Sequence, residues 1–513
     1  MLSKLQSFGL TGIDGFLVEI ETDIVSGLPH IDLVGLGDTA VKEAKERVKS
    51  AIRNSAFEYP LKHYTINLAP ADIKKEGPIY DLGIAVGILS ASEQVIFKDY
   101  KDYIFLGELS LDGRIKKVRG VLPMLISARA LGYNKFIIPK ENAKEASFIS
   151  NITCYAFDNL KEVIAFLNKE VDREAFRVSA MSFEEISLQN SNKLDFENVK
   201  GQQMAKRALE IAAAGGHNVL MIGPPGSGKS MLAKCFSGIL PNLTFEEALE
   251  VTKIHSVAGE LDLKQGIITE RPFRTPHHTA TAISLTGGGV HSKPGEISLA
   301  HNGVLFLDEF PEYSRHLIET LRQPLEDGYI TVARAQQTIT YPASFTLIAS
   351  MNPCPCGNYG SKDRECTCSP TQIHRYLAKL SGPIMDRIDI HVEVDNITYK
   401  ELNDENKEEP TAKIKERVDK ARAVQLERFK GSKVFSNAKM SVPQTKKFCK
   451  LSPECQKLME SAFTNLKLSA RAHDRILKVA RTIADLAGEE DIKPEHIAEA
   501  VSYRGLDRKY FSV

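Results

Sequence analysis

The sequence predicts an α/β protein built from more than one domain. A chain of 513 residues is too long for one hydrophobic core. Residues 1–166 alternate strand and helix patterns, and a second such series covers residues 197–395. The second series contains a glycine-rich loop between an apolar strand and a helix, which is typical of a parallel-sheet fold.

Local patterns predict the elements of the first 166 residues. Asp38 is placed to cap a helix, because the apolar residues that follow it recur at spacings of three and four. These apolar residues are Val41, Ala44, Val48 and Ile52. The other predicted elements are strands at 15–22, 63–69, 103–106 and 135–139 and a helix at 121–130.

Composition divides the rest of the chain. Residues 167–196 are polar and read as a linker, and residues 396–412 are acidic and read as a solvated second linker. Residues 413–513 are helix-patterned, with a last helix starting at Asp491 or at Lys493-Pro494. Within residues 411–450 there are 12 Lys and Arg against 3 Asp and Glu.

Overall charge and hydropathy restrict the class of protein. Lys and Arg total 66, as do Asp and Glu, so DNA contact would require a local patch or a pore. We find no apolar run of membrane-spanning length and no signal-peptide core at the first residues. The sequence therefore predicts a cytoplasmic protein without a membrane partner.

The most specific motif is a loop of eight residues. Its members are Gly223, Pro224, Pro225, Gly226, Ser227, Gly228, Lys229 and Ser230. Backbone N–H groups and the following helix N-terminus would surround a phosphate. Lys229 would reach the β- and γ-phosphates, and Ser230 would ligate Mg²⁺. A Gly-Pro surface turn is the alternative, but the flanking elements favour binding of ATP or GTP.

Two carboxylates end a second apolar run, at residues 303–307. Asp308 would lie beside the Mg²⁺, and Glu309 would orient and deprotonate an attacking water. A third predicted strand, 345–351, ends at Asn352, whose side chain would bond the γ-phosphate or that water. Together with the loop, these residues predict hydrolysis of the bound nucleotide.

Four of the eight cysteines lie within fifteen residues of one another. They are Cys354, Cys356, Cys366 and Cys368. Such clustering favours metal ligation over a disulfide framework. Four thiolates at about 2.3 Å from Zn²⁺ would make a closed structural site, and free or structural thiols are the alternative. Because the cluster follows Asn352, its expected role is to hold the loop that carries this residue.

The motifs resemble those of a known family over essentially the whole chain. The resemblance is carried by FENVKGQQMAKRALEIAAAGGHNVLMIGPPGSGK, RPFRTPHHT, GVLFLDEF, ASMNPCPCG and LSGPIMDRIDIHVEV, which look like the magnesium-chelatase-like AAA+ proteins of the ComM/YifB group. It implies a AAA+ P-loop core with a C-terminal helical lid, and Asn352 as sensor 1. It further implies Arg387 as an arginine finger, Arg471 as sensor 2 and a homohexameric ring. A surface salt bridge is the alternative for each arginine.

Two other segments take expectations from this resemblance. Residues 331–341 resemble the hairpin that this clade points into its central pore, which makes Arg334 a candidate DNA contact, and a plain exposed hairpin is the alternative. Residues 271–289 correspond to an insertion in the second helix of the clade. Its pair His277 and His278 is expected to shape the loop rather than to bind a metal.

The first domain resembles the proteolytic domain of Lon proteases. The similar stretches are GELSLDGRIKKVRGVLPMLISARALGYNKFIIPKENAKEA and KKEGPIYDLGIAVGIL. That enzyme uses a serine nucleophile activated by a lysine. The matching positions here are Ile79 and Leu122, so the resemblance implies an inactive domain used for assembly or DNA contact.

Three functions follow from these motifs, and the sequence favours the first. This is a hexameric ATP-dependent DNA motor, a branch-migration helicase that promotes DNA integration in recombination or natural transformation. The second is a protein-remodelling ATPase of the magnesium-chelatase subunit type, against which we count the Lon-like domain. The third is an ATP-dependent protease. Against it we count that this chain lacks the serine and the lysine that such a protease needs for peptide hydrolysis. The basic residues at 411–450 favour DNA, with a solvated helical face as the alternative.

Overall fold

The computed structural model describes most of the chain. The described residues are 2–96, 98–184, 194–262, 264–289, 293–333, 338–360, 364–402, 408–432, 434–466, 468–506 and 509–510. Arg334 and residues 185–193 of the predicted linker 167–196 therefore lie outside the described residues. Within them, no helix is long and apolar enough to cross a lipid bilayer.

A seven-stranded mixed sheet forms the core of the N-terminal domain. Its strands lie in the order His30–Val34, His63–Ala69, Asp14–Val25, Leu2–Thr11, Ile104–Phe105, Lys135–Pro139 and Thr153–Phe157. The helices are Thr39–Asn54, Asp81–Ala91, Val121–Ala130, Ala143–Ala146 and Leu160–Leu167, and a small hairpin pairs Glu108–Leu109 with Ile115–Lys116. Helix and strand residues share one hydrophobic core.

Local sequence predicted these elements closely. The Asp38 side chain accepts a hydrogen bond from the Val41 N–H at 2.8 Å and so caps the first helix as expected. The predicted strands 63–69 and 135–139 and the helix 121–130 are confirmed to the residue. The strand predicted at 15–22 is longer, Asp14–Val25, because neighbouring strands pair with it on both sides.

The ATPase core is a five-stranded parallel sheet with helices around it. Its strands lie in the order Phe273–Arg274, Val304–Leu307, Thr346–Met351, Val219–Ile222 and Ile390–Glu393. The helices are Gln203–Gly215, Lys229–Ile239, Phe245–Ala258, Ala282–Thr286, Glu296–Leu299, Arg315–Thr320, Arg322–Asp327, Pro370–Leu377 and Gly382–Met385. Two hairpins project from this core, Gly287–Gly288 with Lys293–Pro294 and Tyr329–Ala333 with Thr338–Pro342.

The C-terminal helices pack directly on the ATPase core. They are Thr411–Arg428, Val442–Phe448, Pro453–Leu466, Ala470–Ala487 and Pro494–Ser502, and a short helix Tyr399–Leu402 precedes them. One hydrophobic cluster joins their apolar faces to the helices Gln203–Gly215 and Lys229–Ile239. The last helix starts at Pro494, with Lys493 as its N-cap, which confirms the second of the two predicted starts. The domain boundaries themselves stay predictions.

The acidic second linker, residues 396–412, is less solvated than its composition suggests. Glu408, in its described end, accepts hydrogen bonds from Lys206 at 2.8 Å and from the Gly201 N–H at 2.8 Å. Charge complementarity with a buried lysine ties this part of the connector to the core, an interaction that composition does not show.

The basic stretch after the connector is also largely engaged within the molecule. Arg417 binds Glu210 and Glu409, Arg428 binds Asp485, and Arg422 donates to backbone carbonyls. All three arginines of residues 411–450 therefore stabilise the C-terminal packing.

Candidate nucleotide site and cysteine cluster

The glycine-rich loop joins a central strand of the sheet to a helix. The strand Val219–Ile222 lies between two parallel neighbours, so the loop emerges at the carboxyl edge of the sheet. Gly226 and Gly228 have φ of 80° and 90°, a left-handed conformation that favours glycine, and Gly228 begins the helix Lys229–Ile239. At Gly223 a Cβ atom would lie 2.1 Å from the Val394 carbonyl oxygen. The loop thus requires the glycines that its motif supplies.

Lys229 is held inside this loop. Its Nζ donates to the carbonyl oxygens of Gly223 at 2.8 Å and Pro224 at 2.7 Å and lies 3.3 Å from Asn352 Oδ1. Burial lowers the pKa of Lys229 to about 8, against the opposing charges of Asp308 and Glu309. The structure thus brings Lys229 close to both Asp308 and Glu309 and to Asn352.

The residues predicted to ligate Mg²⁺ fit that ion. Ser230 Oγ donates to Asp308 Oδ2 at 2.7 Å, and Ser350 Oγ donates to the other Asp308 oxygen. Oxygen ligands at about 2.1 Å from Mg²⁺ in octahedral geometry lie about 2.9 Å apart, close to the observed separation of the first pair. Ser350 was not predicted, although its place one strand over from Asp308 could have indicated it.

Glu309 contacts His278, a residue that the sequence assigns only to a loop. Its Oε2 lies 3.4 Å from His278 Nδ1, while its backbone adopts φ 51°, a costly value for a residue other than glycine. Tyr313 anchors the histidine segment by donating to the Pro276 carbonyl oxygen at 2.6 Å. His278 thus contacts the candidate general base, and His277 Nδ1 accepts the Thr279 backbone N–H at 3.3 Å within the loop. That the pair shapes the loop rather than binding a metal stays a prediction.

The four clustered cysteines converge beside the sensor loop. The Sγ of Cys354 lies 3.3 Å from that of Cys356 and 3.7 Å from that of Cys366, and all four sulfurs lie within 4.8 Å of one another. Four sulfurs at about 2.3 Å from one Zn²⁺ are about 3.8 Å apart in a tetrahedron. All four residues are free thiols. The donor set therefore fits a closed tetrahedral metal site.

The cysteine loop also touches the phosphate-binding loop. A Cβ atom at Gly357, whose φ is 82°, would lie 2.4 Å from Pro225 Cδ. The cluster is thus placed to fix two segments of the nucleotide site at once.

Arg387, the predicted arginine finger, and Arg471, the predicted sensor 2, both act electrostatically on Glu326. Arg387 is 7% exposed and pairs with Glu326, and it donates to the Pro383 carbonyl oxygen at 2.6 Å. The hydrogen bond from Arg387, with the charge of Arg471, lowers the pKa of Glu326.

A buried ion pair that the sequence did not reveal connects the segment after Arg387 to the C-terminal helices. Arg475, one turn after Arg471, pairs with the fully buried Asp389. Burial would raise the pKa of Asp389, but the Arg475 charge holds it well below its usual range. Asp389 also accepts the Asn218 N–H at 3.0 Å, directly before the strand of the phosphate-binding loop. The pair therefore links the C-terminal helix Ala470–Ala487, the segment that carries Arg387 and the strand that precedes the phosphate-binding loop.

Comparison with known proteins assigns the family. The chain is 45% identical to the competence protein ComM of Haemophilus influenzae over 514 aligned residues, covering 99% of this chain and 98% of ComM. It is 44% identical to YifB of Escherichia coli over 99% of this chain and 98% of YifB. The chain belongs to the ComM/YifB family of magnesium-chelatase-like AAA+ proteins. Its core is therefore that of a AAA+ ATPase.

Three family models cover the parts of this ComM/YifB-family chain. They are described as subunit ChlI of Mg-chelatase at residues 20–142, magnesium chelatase subunit ChlI at 195–402 and the ChlI C-terminal part at 408–504. The magnesium-chelatase subunit ChlI-2 of Arabidopsis thaliana is 25% identical over 42% of this chain and 60% of its own length. Because a chelatase-subunit model matches residues 20–142, the N-terminal domain no longer counts against a chelatase-like role.

Proposed function

We propose that this ComM/YifB-family ATPase is one subunit of a ring-shaped, ATP-driven motor that acts on branched or single-stranded DNA. The observation that carries the proposal is the hydrolytic set around Lys229, combined with Arg387, which pairs with Glu326 in this chain. Similarity over nearly the whole chain to a competence protein supports DNA as the substrate.

The chain's own side chains have distinct roles in hydrolysis of ATP. Lys229 turns from the loop carbonyls to the β- and γ-phosphates, and the loop N–H groups bind the same phosphates. Ser230 and Asp308 would hold Mg²⁺, which when bound neutralises charge on the β- and γ-phosphates. Glu309 takes the proton of the attacking water, and His278 positions the Glu309 carboxylate. Asn352 bonds the γ-phosphate or the attacking water.

A neighbouring subunit would complete this site. In this chain Arg387 forms an ion pair with Glu326. An arginine presented to a neighbour's γ-phosphate stabilises the charge that develops there. We therefore propose a closed ring, with six subunits as the family resemblance implies. To act as a finger, Arg387 must exchange its ion pair with Glu326 for the neighbour's phosphate.

We also propose that the four clustered cysteines hold one structural Zn²⁺, because their sulfurs already lie at tetrahedral spacing. Metal analysis of the purified chain should find about one zinc per subunit, and Cys366→Ser should remove it. The matched control is Cys455→Ser, since Cys455 is a buried cysteine elsewhere in the chain. Protein that is folded, active and free of metal would contradict the proposal.

The DNA proposal is tested by ATP hydrolysis in the presence of four-way, forked, single-stranded and duplex DNA. Branched or single-stranded DNA should stimulate hydrolysis several-fold, and Lys229→Ala should abolish both the basal and the stimulated rate. Hydrolysis that ignores every DNA would contradict a DNA motor.

A protein-remodelling ATPase is the second candidate function. The observation that favours it is the match of chelatase-subunit models to all three parts of the chain. In that case a partner protein, and none of the DNA substrates, should stimulate hydrolysis. The same assay therefore separates the two candidates.

A further inference from the structure

Asn218 lies at the edge of the ATPase sheet that is opposite to the phosphate-binding loop. It directly precedes the strand Val219–Ile222, whose other end leads into that loop. The pairing of this strand with its two parallel neighbours places Leu347 and Asp389 beside Asn218 in one row. Because four strand residues at about 3.3 Å each span about 13 Å, the row lies about that far from the start of the loop.

All four polar groups of Asn218 form hydrogen bonds at this edge. Its side-chain Oδ1 accepts the Leu347 N–H at 2.9 Å, and its Nδ2 donates to the Arg387 carbonyl oxygen at 2.9 Å. Its backbone N–H donates to Asp389 Oδ2 at 3.0 Å, and its carbonyl oxygen accepts the Asp389 N–H at 3.0 Å. Asn218 is buried, where an unmade hydrogen bond is costly. The side chain is therefore fixed on both neighbours at once.

Each of the three segments that Asn218 joins carries part of the predicted hydrolytic machinery. The strand Val219–Ile222 leads into the phosphate-binding loop, and the strand Thr346–Met351 leads to Asn352. The third segment contains Arg387, the proposed arginine finger. One buried amide thus sets the main chain of the finger relative to the two strands that end at the nucleotide site.

Asp389 connects the same row to the C-terminal helix Ala470–Ala487. Its carboxylate pairs with Arg475 of that helix, and His217 Nδ1 lies 3.4 Å from the same carboxylate. The other ring nitrogen of His217 lies 2.8 Å from Thr482 Oγ1, also in that helix. The helix that carries the predicted sensor 2 is therefore held against the row at two points.

The Arg387 guanidinium retains a donor for a further acceptor. It pairs with the exposed Glu326 and donates to the Pro383 carbonyl oxygen at 2.6 Å. Its Nε is buried and has no hydrogen-bond partner among the residues that the structure describes. Because a buried N–H without an acceptor is costly, this guanidinium can gain from an incoming oxygen. Its main chain, in contrast, is already held by Asn218.

We propose that Asn218 is a positioning residue for hydrolysis between subunits: it sets the main chain of Arg387 so that the guanidinium reaches the γ-phosphate bound by the neighbouring subunit. Asn218 lies at the opposite edge of the sheet from the phosphate-binding loop, so it acts through Arg387 rather than on the nucleotide of its own subunit. The inference rests on the ring of the proposed function and does not depend on DNA as the substrate.

Substitution of Asn218 should lower the rate of hydrolysis without weakening nucleotide binding. Asn218→Ser, whose side chain is too short to bond both neighbours, should reduce kcat about tenfold or more, because a displaced finger stabilises the γ-phosphate less. The affinity for a non-hydrolysable ATP analogue should stay within about threefold of wild type, since the loop contacts are unchanged. An equal loss of affinity and kcat would show that Asn218 supports its own phosphate-binding loop, which would overturn the inference. Asn218→Thr fills more of the same space and replaces Asn218→Ser if that variant does not fold.

Mixed rings test whether the lost activity belongs to the subunit that donates Arg387. Glu309→Gln subunits have an inactive site and an intact finger, whereas Asn218→Ser subunits should have an intact site and a displaced finger. Equal amounts of the two, mixed before assembly, should pair an intact site with an intact finger at about a quarter of the interfaces and restore about a quarter of the wild-type rate. A mixture that only averages the two separate rates would show that Asn218 acts within its own subunit, and the inference would be wrong.

Two controls separate the possible failures. Arg387→Ala mixed with Glu309→Gln should be restored in the same way. If it is not, the ring with Arg387 as its finger fails and the inference fails with it, whereas failure of the Asn218→Ser mixture alone refutes only the role of Asn218. The structural control is Asn142→Ser, because Asn142 is a buried amide that bonds the Val118 N–H at 3.1 Å and the Val118 carbonyl oxygen at 3.0 Å in the N-terminal domain. This variant should keep the wild-type kcat although its unfolding temperature falls as that of Asn218→Ser does.

Discussion

The two clefts of this chain share an α/β setting but differ in chemistry. In the nucleotide site, two hydrogen-bonded pairs, Lys229 with Asn352 and Ser230 with Asp308, lie at the carboxyl edge of a parallel sheet. In the N-terminal cleft, the positions that would carry a nucleophile and its activating base are Ile79 and Leu122, which are 7% and 1% exposed. The comparison teaches that architecture provides a cleft, while individual side chains decide whether it can catalyse a reaction.

The largest effect is expected from substitutions in the nucleotide site, the cleft that has kept its catalytic side chains. Lys229→Ala should abolish nucleotide binding and hydrolysis, whereas Glu309→Gln should retain binding and reduce kcat by on the order of 100-fold or more, because the attacking water loses its base. Nucleotide binding by calorimetry and steady-state hydrolysis measure the two effects. Glu312→Gln, an exposed carboxylate three residues on, is the matched control. Full activity of Glu309→Gln would refute the role given to Glu309.

A smaller effect on hydrolysis, with a large effect on stability, is expected in the N-terminal domain. Leu122→Ala removes a fully buried side chain and should lower the free energy of unfolding by about 2–5 kcal/mol. Basal hydrolysis by the folded variant should stay within about twofold of wild type. Chemical denaturation and steady-state assays check both, and the volume-conserving Leu122→Met should cost under about 1.5 kcal/mol. Loss of hydrolysis in folded Leu122→Ala protein would show that this domain contributes to catalysis.

The smallest expected effect concerns the contact between the two regions. Burial raises the pKa of Glu145 to about 7, although its hydrogen bonds oppose the shift. The folded state therefore binds more protons than the unfolded state between about pH 4.5 and 7, and stability falls as pH rises through this window. Glu145→Gln should remove a dependence on the order of 1–3 kcal/mol.

Denaturation of wild type and Glu145→Gln at pH 5 and pH 7.5 measures this difference. The variant keeps an oxygen that can accept the Ser256 hydroxyl, so the interface itself should persist. An identical pH dependence in both proteins would show that Glu145 does not titrate in this window.

Much of the local structure could be predicted from the sequence, because it depends on neighbouring residues. The Asp38 cap, the glycines with positive φ at 226 and 228, and the strand ending at Asp308 follow from short-range sterics and hydrogen bonding. Lys229 and Asn352, each predicted to reach the γ-phosphate end of a nucleotide, lie 3.3 Å apart, because parallel strands present their carboxyl ends at one edge of a sheet.

Long-range pairings were less accessible. Arg475 pairs with Asp389 across 86 positions of sequence, and nothing local distinguishes Arg475 from other helical arginines. The predicted solvated connector is instead tied to Lys206, and the basic arginines after it are engaged internally. A charge count measures composition, whereas an ion pair depends on which helices pack together.

The sequence by itself determined that this chain binds and hydrolyses a nucleoside triphosphate as a AAA+ protein, since that chemistry depends on contiguous motifs whose geometry is local. The tertiary structure decided what surrounds those motifs: the His278 contact with Glu309, the Arg387 ion pair with Glu326, and the hydrogen bond between Ser256 and Glu145. Each of these joins elements that are distant in sequence. Only the packing of whole domains brings such residues together.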